Sequence, residues 1–176
     1  MIIEYAPISE IEVISPLGSE LEAHLIAYKG KVKHASCSAW SLLYKTLCSS
    51  DLPIAEVCFS ETGKPYFPDS LIHFSISHSH DLCAIAISDH PVGVDIEIVK
   101  EHYNPHLIDR SLCENEKKVF RGDFTNLWTR KEAIAKMTGK GITGYPAEID
   151  TTQYQYTEKK ISFGQKKYWC CAVSGD

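Results

Sequence analysis

The chain lacks several features that would assign it quickly to a class. Its seven cysteines form no Cys-x-x-Cys pair, and none of its eight histidines lies in a His-Glu-x-x-His segment, which argues against structural zinc. The odd and scattered cysteines argue against a disulfide framework. No apolar run approaches the roughly 20 residues that span a bilayer, and the first residues lack the regions of a signal peptide. We therefore expect a soluble, cytoplasmic protein with no membrane partner.

An excess of positive charge is also missing. The formal net charge is −5, which argues against general nucleic-acid binding. What the chain does contain is 176 residues, of which 44% are hydrophobic and 10% aromatic. That composition supports a proper core and excludes wholesale disorder.

Hydrophobic periodicity predicts an α+β protein. Leu82–Ser88 and Trp169–Ser174 are similar short apolar segments, and each follows a helix and other strands, which indicates two similar halves at about 1–90 and 91–176. Strands are predicted at 2–14, 57–59, 72–76, 82–88, 92–98, 149–156, 160–163 and 168–173, and helices from Ser19 and at 33–47, 107–120 and 127–141.

The predicted helix at 127–141 carries a polar face. At 100° per residue, Trp128, Glu132 and Lys136 lie within about 80° of one another. Leu127 and Ile134 lie on the other side and would pack inward. By itself, this pattern also fits an ordinary amphipathic helix with a weakly stabilising Glu132–Lys136 pair.

Two carboxylates occur two residues apart on the predicted strand at 92–98. Asp95 and Glu97 therefore project from the same face of the strand. Adjacent carboxylates resist joint ionisation unless a positive charge lies between them, and a hard cation such as Mg²⁺ prefers oxygen ligands. Glu132 is a natural third ligand if the helix crosses the strand. Alternatively, both acids are simply solvated at an exposed edge.

Two further positions favour anion binding. His78 lies among serines at a predicted strand end, and Lys64 lies in a Gly-Lys-Pro turn, where an ammonium and backbone N–H groups could meet a phosphate. The alternatives are a histidine in a serine-capped turn and a plain surface turn. Taken singly, neither position decides the function.

The order of four segments along the chain, in contrast, indicates a function. They are Gly63-Lys64-Pro65, Phe74-Ser75-Ile76-Ser77-His78-Ser79, Gly93-Val94-Asp95-Ile96-Glu97, and Trp128–Gly141 with its Lys-Glu-Ala and Gly-Lys-Gly elements. In this order and spacing the chain resembles the 4′-phosphopantetheinyl transferases of the larger, surfactin-synthetase-activating type. One departure is Ser75, where asparagine is common, and another is the short N-terminal half.

The resemblance implies a reaction and a set of site residues. The reaction transfers the 4′-phosphopantetheine arm of coenzyme A to a serine of an apo acyl or peptidyl carrier protein, with Mg²⁺, and releases adenosine 3′,5′-bisphosphate, as in a holo-(acyl-carrier-protein) synthase. The metal ligands would be Asp95, Glu97 and Glu132. Coenzyme A would contact Lys31, Lys33, Gly63, Lys64, Pro65, Ser77, His78, Asp95 and Lys136. Lys136 would act in catalysis, with either Glu132 or Glu97, through a metal-bound water, as the base.

The same resemblance implies an architecture. Each half would be a helix packed on a small antiparallel sheet, the halves would be related by a pseudo-twofold axis, and the site would lie in the cleft between them. Residues 1–90 would bind the adenylate and 3′-phosphate side of coenzyme A, and residues 91–176 would hold Mg²⁺ and the catalytic groups. A monomer could build such a site alone. Trp128 would pack beneath it.

Two other functions fit part of the pattern. A Mg²⁺-dependent nucleotide pyrophosphate hydrolase would need the acids but not the ordered Gly-Lys-Pro and Ser-His-Ser segments. A non-catalytic module that binds carrier proteins would be expected to lack at least one acidic ligand. Carrier proteins are usually acidic around their serine, so basic and apolar residues within 101–125 are candidates for the docking rim. Alternatively, this segment is an ordinary solvated helix.

Overall fold

The computed structural model describes residues 1–14, 18–142 and 146–175, and it combines helices with small antiparallel sheets. This confirms the α+β class. The strands are β1 (Ile2–Pro7), β2 (Cys58–Phe59), β3 (Pro65–Tyr66), β4 (His73–Ser79), β5 (Leu82–Ser88), β6 (Val92–Ile98), β7 (Thr157–Phe163) and β8 (Lys166–Ser174). The helices are α1 (Ser19–Ile26), α2 (Gly30–Ser49), α3 (Pro105–Ser111), α4 (Glu114–Val119) and α5 (Phe124–Thr138). None of the described helices is long and apolar enough to cross a membrane.

The first three-stranded sheet has the order β1-β5-β4 and carries α2 on one face. Trp40, Leu43 and Leu47 recur at helical spacing along α2, so they share one face. That face packs on Ile85 and Ile87, which alternate along β5 and therefore point to the same side of the sheet.

The second three-stranded sheet has the order β6-β8-β7 and carries α5. Ala133, Ile134 and Met137 of α5 pack on Cys171 and Val173 of β8. The alternate residues of β8, with those of β5 and β6, fill a core shared by the two sheets. Because β5 is covered on both faces, its seven residues are all buried, as its continuous apolar sequence predicts.

Helix α5 approaches β6 most closely at Gly93. A Cβ atom at this position would lie 1.9 Å from the carbonyl oxygen of Ala133 and 2.6 Å from the amide nitrogen of Met137. Only glycine leaves room for the helix backbone at that point. The contact places Glu132 and Lys136, which flank Ala133 and Met137, close to the strand that carries Asp95.

Hydrogen bonds between side-chain hydroxyls of β4 and backbone N–H groups of β6 connect the two sheets. Ser75, Ser77 and Ser79, which we call the serine ladder, project from one face of β4 because strand side chains repeat every second residue. Their Oγ atoms accept hydrogen bonds from backbone N–H groups at the edge of β6. The pairs are Val94 to Ser75 (3.1 Å), Ile96 to Ser77 (3.3 Å) and Ile98 to Ser79 (3.2 Å).

Two predicted elements differ from the structure. The predicted helix at 107–120 is broken into α3 and α4, since Cys113 starts a new helix in which the Glu116 side chain accepts the Cys113 N–H. The predicted strand at 149–156 is wrong. Asp150 accepts the Thr152 N–H and holds a short 3-10 turn there instead. Alternation alone did not reveal this side-chain bond, which competes with extended backbone.

Candidate active site

A cavity of about 540 Å³ collects most of the predicted site residues. Its walls come from α1, α2, the segment 59–65, β4, β6 and α5. The lining residues are His24, Tyr28, Ser36, Trp40, Phe59, Thr62, Gly63, Lys64, Pro65, Phe74, Ser75, Ile76, Ser77, His78, Asp95, Glu132, Ala135, Lys136, Gly139 and Gly141. They include residues from all four sequence motifs.

A hydrogen-bonded charge network lies in this cavity. The Lys136 ammonium donates to Asp95 Oδ1 at 2.7 Å and to Ser77 Oγ at 2.9 Å. The Ser77 hydroxyl donates to the same Asp95 oxygen at 2.8 Å. Since Asp95 is only 6% exposed, its charge depends on these partners rather than on water.

Glu132 adds a second carboxyl group to the network. Burial raises the pKa of Glu132, and the nearby charges of Asp95 and Glu97 raise it further, while Lys136 lowers it. Negative charge is therefore in excess around this side chain. A cation held by carboxylate oxygens would relieve that excess.

The donor chemistry of the three predicted ligands fits Mg²⁺. All three supply carboxylate oxygens, two from one face of β6 and one from the helix that packs on it. Within the described ranges, the group of three whose ligand atoms all lie within 4.8 Å of one another is a different one: Cys113, Glu116 and Asp150. The ammonium of Lys136 is the cation that contacts Asp95 in this structure.

His78 lies in the cavity wall at the end of β4. Burial lowers the pKa of His78, and the positive charge of Lys136 lowers it further, while Asp95 raises it. The imidazole is therefore neutral at neutral pH, and it can offer one N–H donor to a phosphate oxygen.

The Gly63-Lys64-Pro65 turn contacts the end of α5. Lys64 Nζ donates to the carbonyl oxygen of Met137 at 2.6 Å, one of the last carbonyls of the helix, which lack partners within it. Gly139 then ends α5 in the left-handed conformation, with φ of 71°, as is common for glycine after a helix. Burial lowers the pKa of Lys64.

Four predicted residues are not among the lining side chains. Lys31 and Lys33 are exposed in the first turn of α2. Glu97 is half-buried, and its carboxylate lies 3.8 Å from the Lys100 ammonium. Trp128 packs with Phe124 in the cluster beside α3.

Sequence reasoning missed the role of Lys131, which is 0% exposed. Its ammonium donates to both Glu116 carboxylate oxygens, at 2.8 and 2.7 Å, and to the Ile149 carbonyl. Glu116 also accepts the Thr151 hydroxyl. Its position on the helix is a signal for this burial, since Lys131 lies within about 60° of the apolar Leu127 and Ile134 around the helix axis.

Comparisons with known proteins agree with the motifs. The model of the 4′-phosphopantetheinyl transferase superfamily matches residues 91–175. The 4′-phosphopantetheinyl transferase gsp of Aneurinibacillus migulanus is 38% identical over 104 residues, which cover 52% of this chain and 42% of that protein. The transferase AcpT of Escherichia coli K12 is 35% identical over 113 residues, 58% of this chain and 57% of that protein.

A longer match comes from the 4′-phosphopantetheinyl transferase AcpT of Salmonella typhi. It is 34% identical over 132 residues, which cover 69% of this chain and 67% of that protein. The matches to the gsp and Escherichia coli proteins span about half the length of those relatives. The motifs, the match to the second half and this longer relative lead to one conclusion: the chain belongs to the 4′-phosphopantetheinyl transferase superfamily.

Proposed function

We propose that this protein transfers the 4′-phosphopantetheine arm of coenzyme A to a serine of an apo acyl or peptidyl carrier protein, in a Mg²⁺-dependent reaction that releases adenosine 3′,5′-bisphosphate. It would thus act as a holo-(acyl-carrier-protein) synthase. The observation that supports this most directly is the network of Asp95, Ser77 and Lys136 in one cavity with Glu132 and His78. Three separate motifs of the family supply these side chains.

We also propose that the two halves, 1–90 and 91–176, are related by a pseudo-twofold axis and that the site lies in the cleft between them. Each half contributes an antiparallel sheet in which the last strand lies between the other two, β1-β5-β4 and β6-β8-β7. Each sheet carries a helix that follows its first strand, α2 or α5. The cavity is lined from both sets of elements.

Asp95, Glu97 and Glu132 would hold the Mg²⁺ ion. The ion would supply charge neutralisation for a diphosphate and would orient it. Burial raises the pKa of Glu132, and the neighbouring carboxylates Asp95 and Glu97 raise it further; a cation among these acids would offset both effects, and the all-oxygen donor set also supports this assignment.

The remaining groups have roles in binding and proton transfer. Lys136 and His78 would donate hydrogen bonds to phosphate oxygens as charge develops on the leaving group. Glu132 or Glu97 would accept the proton of the attacking serine hydroxyl. The turn at 63–65 would bind the nucleotide, and Lys31 and Lys33, which lie outside the cavity wall, would meet the 3′-phosphate.

The carrier protein would dock on the segment 101–125. Leu107 and Val119 are 43% and 58% exposed there. Arg110, Lys117, Lys118 and Arg121 are exposed in the same segment, and their positive charge would complement an acidic carrier surface. We further expect a cytoplasmic monomer without a nucleic-acid partner.

The decisive assay combines the protein, coenzyme A, Mg²⁺ and a panel of apo carriers. Transfer of the arm gives each accepted carrier a mass gain of roughly 340 Da, the size of the added group. Asp95→Ala and Glu132→Ala are each expected to abolish the gain while the circular dichroism spectrum stays that of the parent. Glu22→Ala, which removes an exposed acid of α1, is the matched control and should keep the activity.

The same assay separates the other two functions. Release of adenosine 3′,5′-bisphosphate without any carrier would instead indicate hydrolysis. Carrier binding without a mass gain would indicate a non-catalytic module. An Asp95→Ala variant that transfers at the parent rate would refute the metal assignment.

For His78→Ala we expect weaker coenzyme A binding by calorimetry, and unchanged affinity would contradict its phosphate contact.

A further inference from the structure

Ser77 lies where the serine ladder meets the charge network of the cavity. Its hydroxyl donates a hydrogen bond to Asp95 Oδ1 at 2.8 Å, and it accepts one from the Ile96 N–H at 3.3 Å and one from the Lys136 ammonium at 2.9 Å. A serine hydroxyl has one donor and two acceptor lone pairs. All of its hydrogen-bonding capacity is therefore used within the protein.

These bonds leave Ser77 little to offer to a substrate directly. The residue is only 6% exposed, and a bond from it to a phosphate oxygen would need the hydroxyl proton that now bonds Asp95. The buried Asp95 carboxylate would then lose a partner that replaces water. Direct contact with coenzyme A, which the family resemblance implies for Ser77, is thus the less favourable use of this hydroxyl.

The hydrogen bonds to Asp95 reach one of its two carboxylate oxygens. Ser77 and Lys136 both donate to Oδ1, and among the described residues no group donates to Oδ2. Two donors on Oδ1 limit the rotation of the carboxylate. Since Asp95 lines the cavity, Oδ2 is the oxygen that remains for a ligand.

We propose that Ser77 is a positioning residue for Mg²⁺, an assignment that rests on the proposed function. By holding Oδ1, its hydroxyl orients Asp95 so that Oδ2 is available to the ion, and Ser77 itself touches neither the ion nor coenzyme A. Carboxylates that bind metals are held by such hydrogen bonds, and loss of one typically weakens metal affinity about 10- to 100-fold. The bond from Ile96, the neighbour of Asp95 on β6, fixes the hydroxyl against the same strand.

Ser79 provides a comparison within the serine ladder. It is as buried as Ser77, at 6% exposed, and its hydroxyl accepts the Ile98 N–H at 3.2 Å. It does not line the cavity, and among the described residues it bonds no carboxylate. The two serines therefore share the bond between the sheets and differ in the bond to Asp95.

Binding of Mn²⁺ to the protein alone tests the proposal. Mn²⁺ accepts the same oxygen ligands as Mg²⁺, and the electron paramagnetic resonance signal of the free ion shows how much is bound. Ser77→Ala is expected to weaken Mn²⁺ affinity about 10- to 100-fold. Ser77→Thr keeps a hydroxyl and should retain more of the affinity. If Ser77→Ala does not fold, Ser77→Cys, whose thiol is only a weak donor, should show the loss instead.

Ser79→Ala is the matched control. It removes a ladder acceptor of the same kind, so it should lower stability in urea denaturation as Ser77→Ala does, but it should leave Mn²⁺ affinity within about twofold of the parent. Calorimetry with coenzyme A in the presence of EDTA separates positioning from direct contact. Ser77→Ala should keep this metal-free affinity within about threefold of the parent.

Three outcomes would overturn the proposal. They are parent-like Mn²⁺ affinity in the folded Ser77 variants, an equal loss of Mn²⁺ affinity in Ser79→Ala, and a loss of metal-free coenzyme A binding as large as the loss of Mn²⁺ binding. None of these measurements requires transfer to a carrier. A chain that transfers normally but fails here loses only the assignment of Ser77, whereas one that passes here without any mass gain on carriers loses the proposed function.

Discussion

Single buried groups differ in how well the fold satisfies them. Lys131 and Glu116 are almost completely buried, yet together they make a full set of hydrogen bonds. Tyr44 is the opposite case. It is 2% exposed, and its hydroxyl has no hydrogen-bond partner among the described residues. Burial raises its pKa to about 12, because an ionised phenolate would be poorly solvated at this position.

We predict that Tyr44→Phe leaves the protein as stable as the parent, or more stable by up to about 1 kcal/mol, because it removes a buried hydroxyl that gains nothing in the folded state. Urea denaturation followed by circular dichroism measures the change. Tyr168→Phe is the control, since the Tyr168 hydroxyl donates to Asp81 at 3.3 Å. Tyr168→Phe should lower the free energy of unfolding by about 1 kcal/mol. Equal losses in both variants would contradict the prediction.

The residue scale also shows where sequence patterns stop being informative. Asp95, Glu132 and Lys136 could be selected because strand and helix periodicity give the direction of each side chain. Lys131 could not be selected in this way, because pattern rules treat lysine as exposed. Only the partner at Glu116, fifteen residues away, makes its burial possible, and a single sequence does not reveal such pairings.

At the scale of elements, the Glu116–Lys131 pair connects α4 to α5. Lys131→Met would leave the Glu116 carboxylate buried without its ammonium. We predict a loss of about 3–5 kcal/mol in the free energy of unfolding, measured by urea denaturation. The exposed Lys140→Met is the control and should change stability by less than about 0.5 kcal/mol. The double variant with Glu116→Gln should recover at least half of the loss, and failure to do so would argue against a charge effect.

The same pair predicts a pH dependence. Burial alone would raise the pKa of Glu116, but hydrogen bonds from Lys131 and Thr151 outweigh it and hold the pKa below the ordinary 4.5. A carboxyl group with a lowered folded-state pKa contributes stability above its unfolded pKa, and this is lost as the pH falls through the folded value. The parent should therefore lose stability more steeply below pH 4.5 than Glu116→Gln does. Thermal melts at pH 3–7 measure this dependence. If the melting temperatures of the parent and of Glu116→Gln fell equally with pH, the prediction would be refuted.

Element packing also explains the glycine of the strand motif. At Gly93 an added methyl group would overlap the backbone of α5. We predict that Gly93→Ala costs about 3 kcal/mol of stability and reduces transfer activity, because α5 carries Glu132 and Lys136. Thermal melts and the carrier mass assay measure the two effects.

Gly164→Ala provides the comparison for Gly93. The added methyl group meets open space there, but φ is 57°, so about 1 kcal/mol from backbone strain is expected. If the two glycine variants behaved alike, close helix approach would not be the reason for Gly93.

At the scale of the whole molecule, the α+β class and the strands β5 and β6 followed from local patterns. The assembly of the sheets did not. Each serine of the serine ladder looks like an ordinary polar residue on the exposed face of a strand, and only the approach of β6 gives it a partner. The turn at 150–153 was missed for the same reason, since a side-chain hydrogen bond overrides an alternating pattern.

The serine ladder leads to a prediction about cohesion between the sheets. Ser75→Ala would leave the buried N–H of Val94 without an acceptor, so we expect a loss of about 1–3 kcal/mol in urea denaturation. Ser75→Asn retains an oxygen acceptor, so it should restore part of the loss. Ser49→Ala, at an exposed serine of α2, is the control. A Ser75→Ala loss no greater than that of the control would contradict the prediction.

Ser77 belongs both to the serine ladder and to the charge network of Asp95 and Lys136. Its hydroxyl accepts a hydrogen bond from the Ile96 N–H, and it also bonds the Asp95 carboxylate and the Lys136 ammonium, which line the cavity. A substitution of Ser77 that alters the contacts with Asp95 and Lys136 would therefore also alter the hydrogen bond between the two sheets, and the reverse holds as well. In libraries of random variants, the codon for Ser77 should tolerate fewer replacements than the codon for Ser79, which takes part in the serine ladder but does not line the cavity.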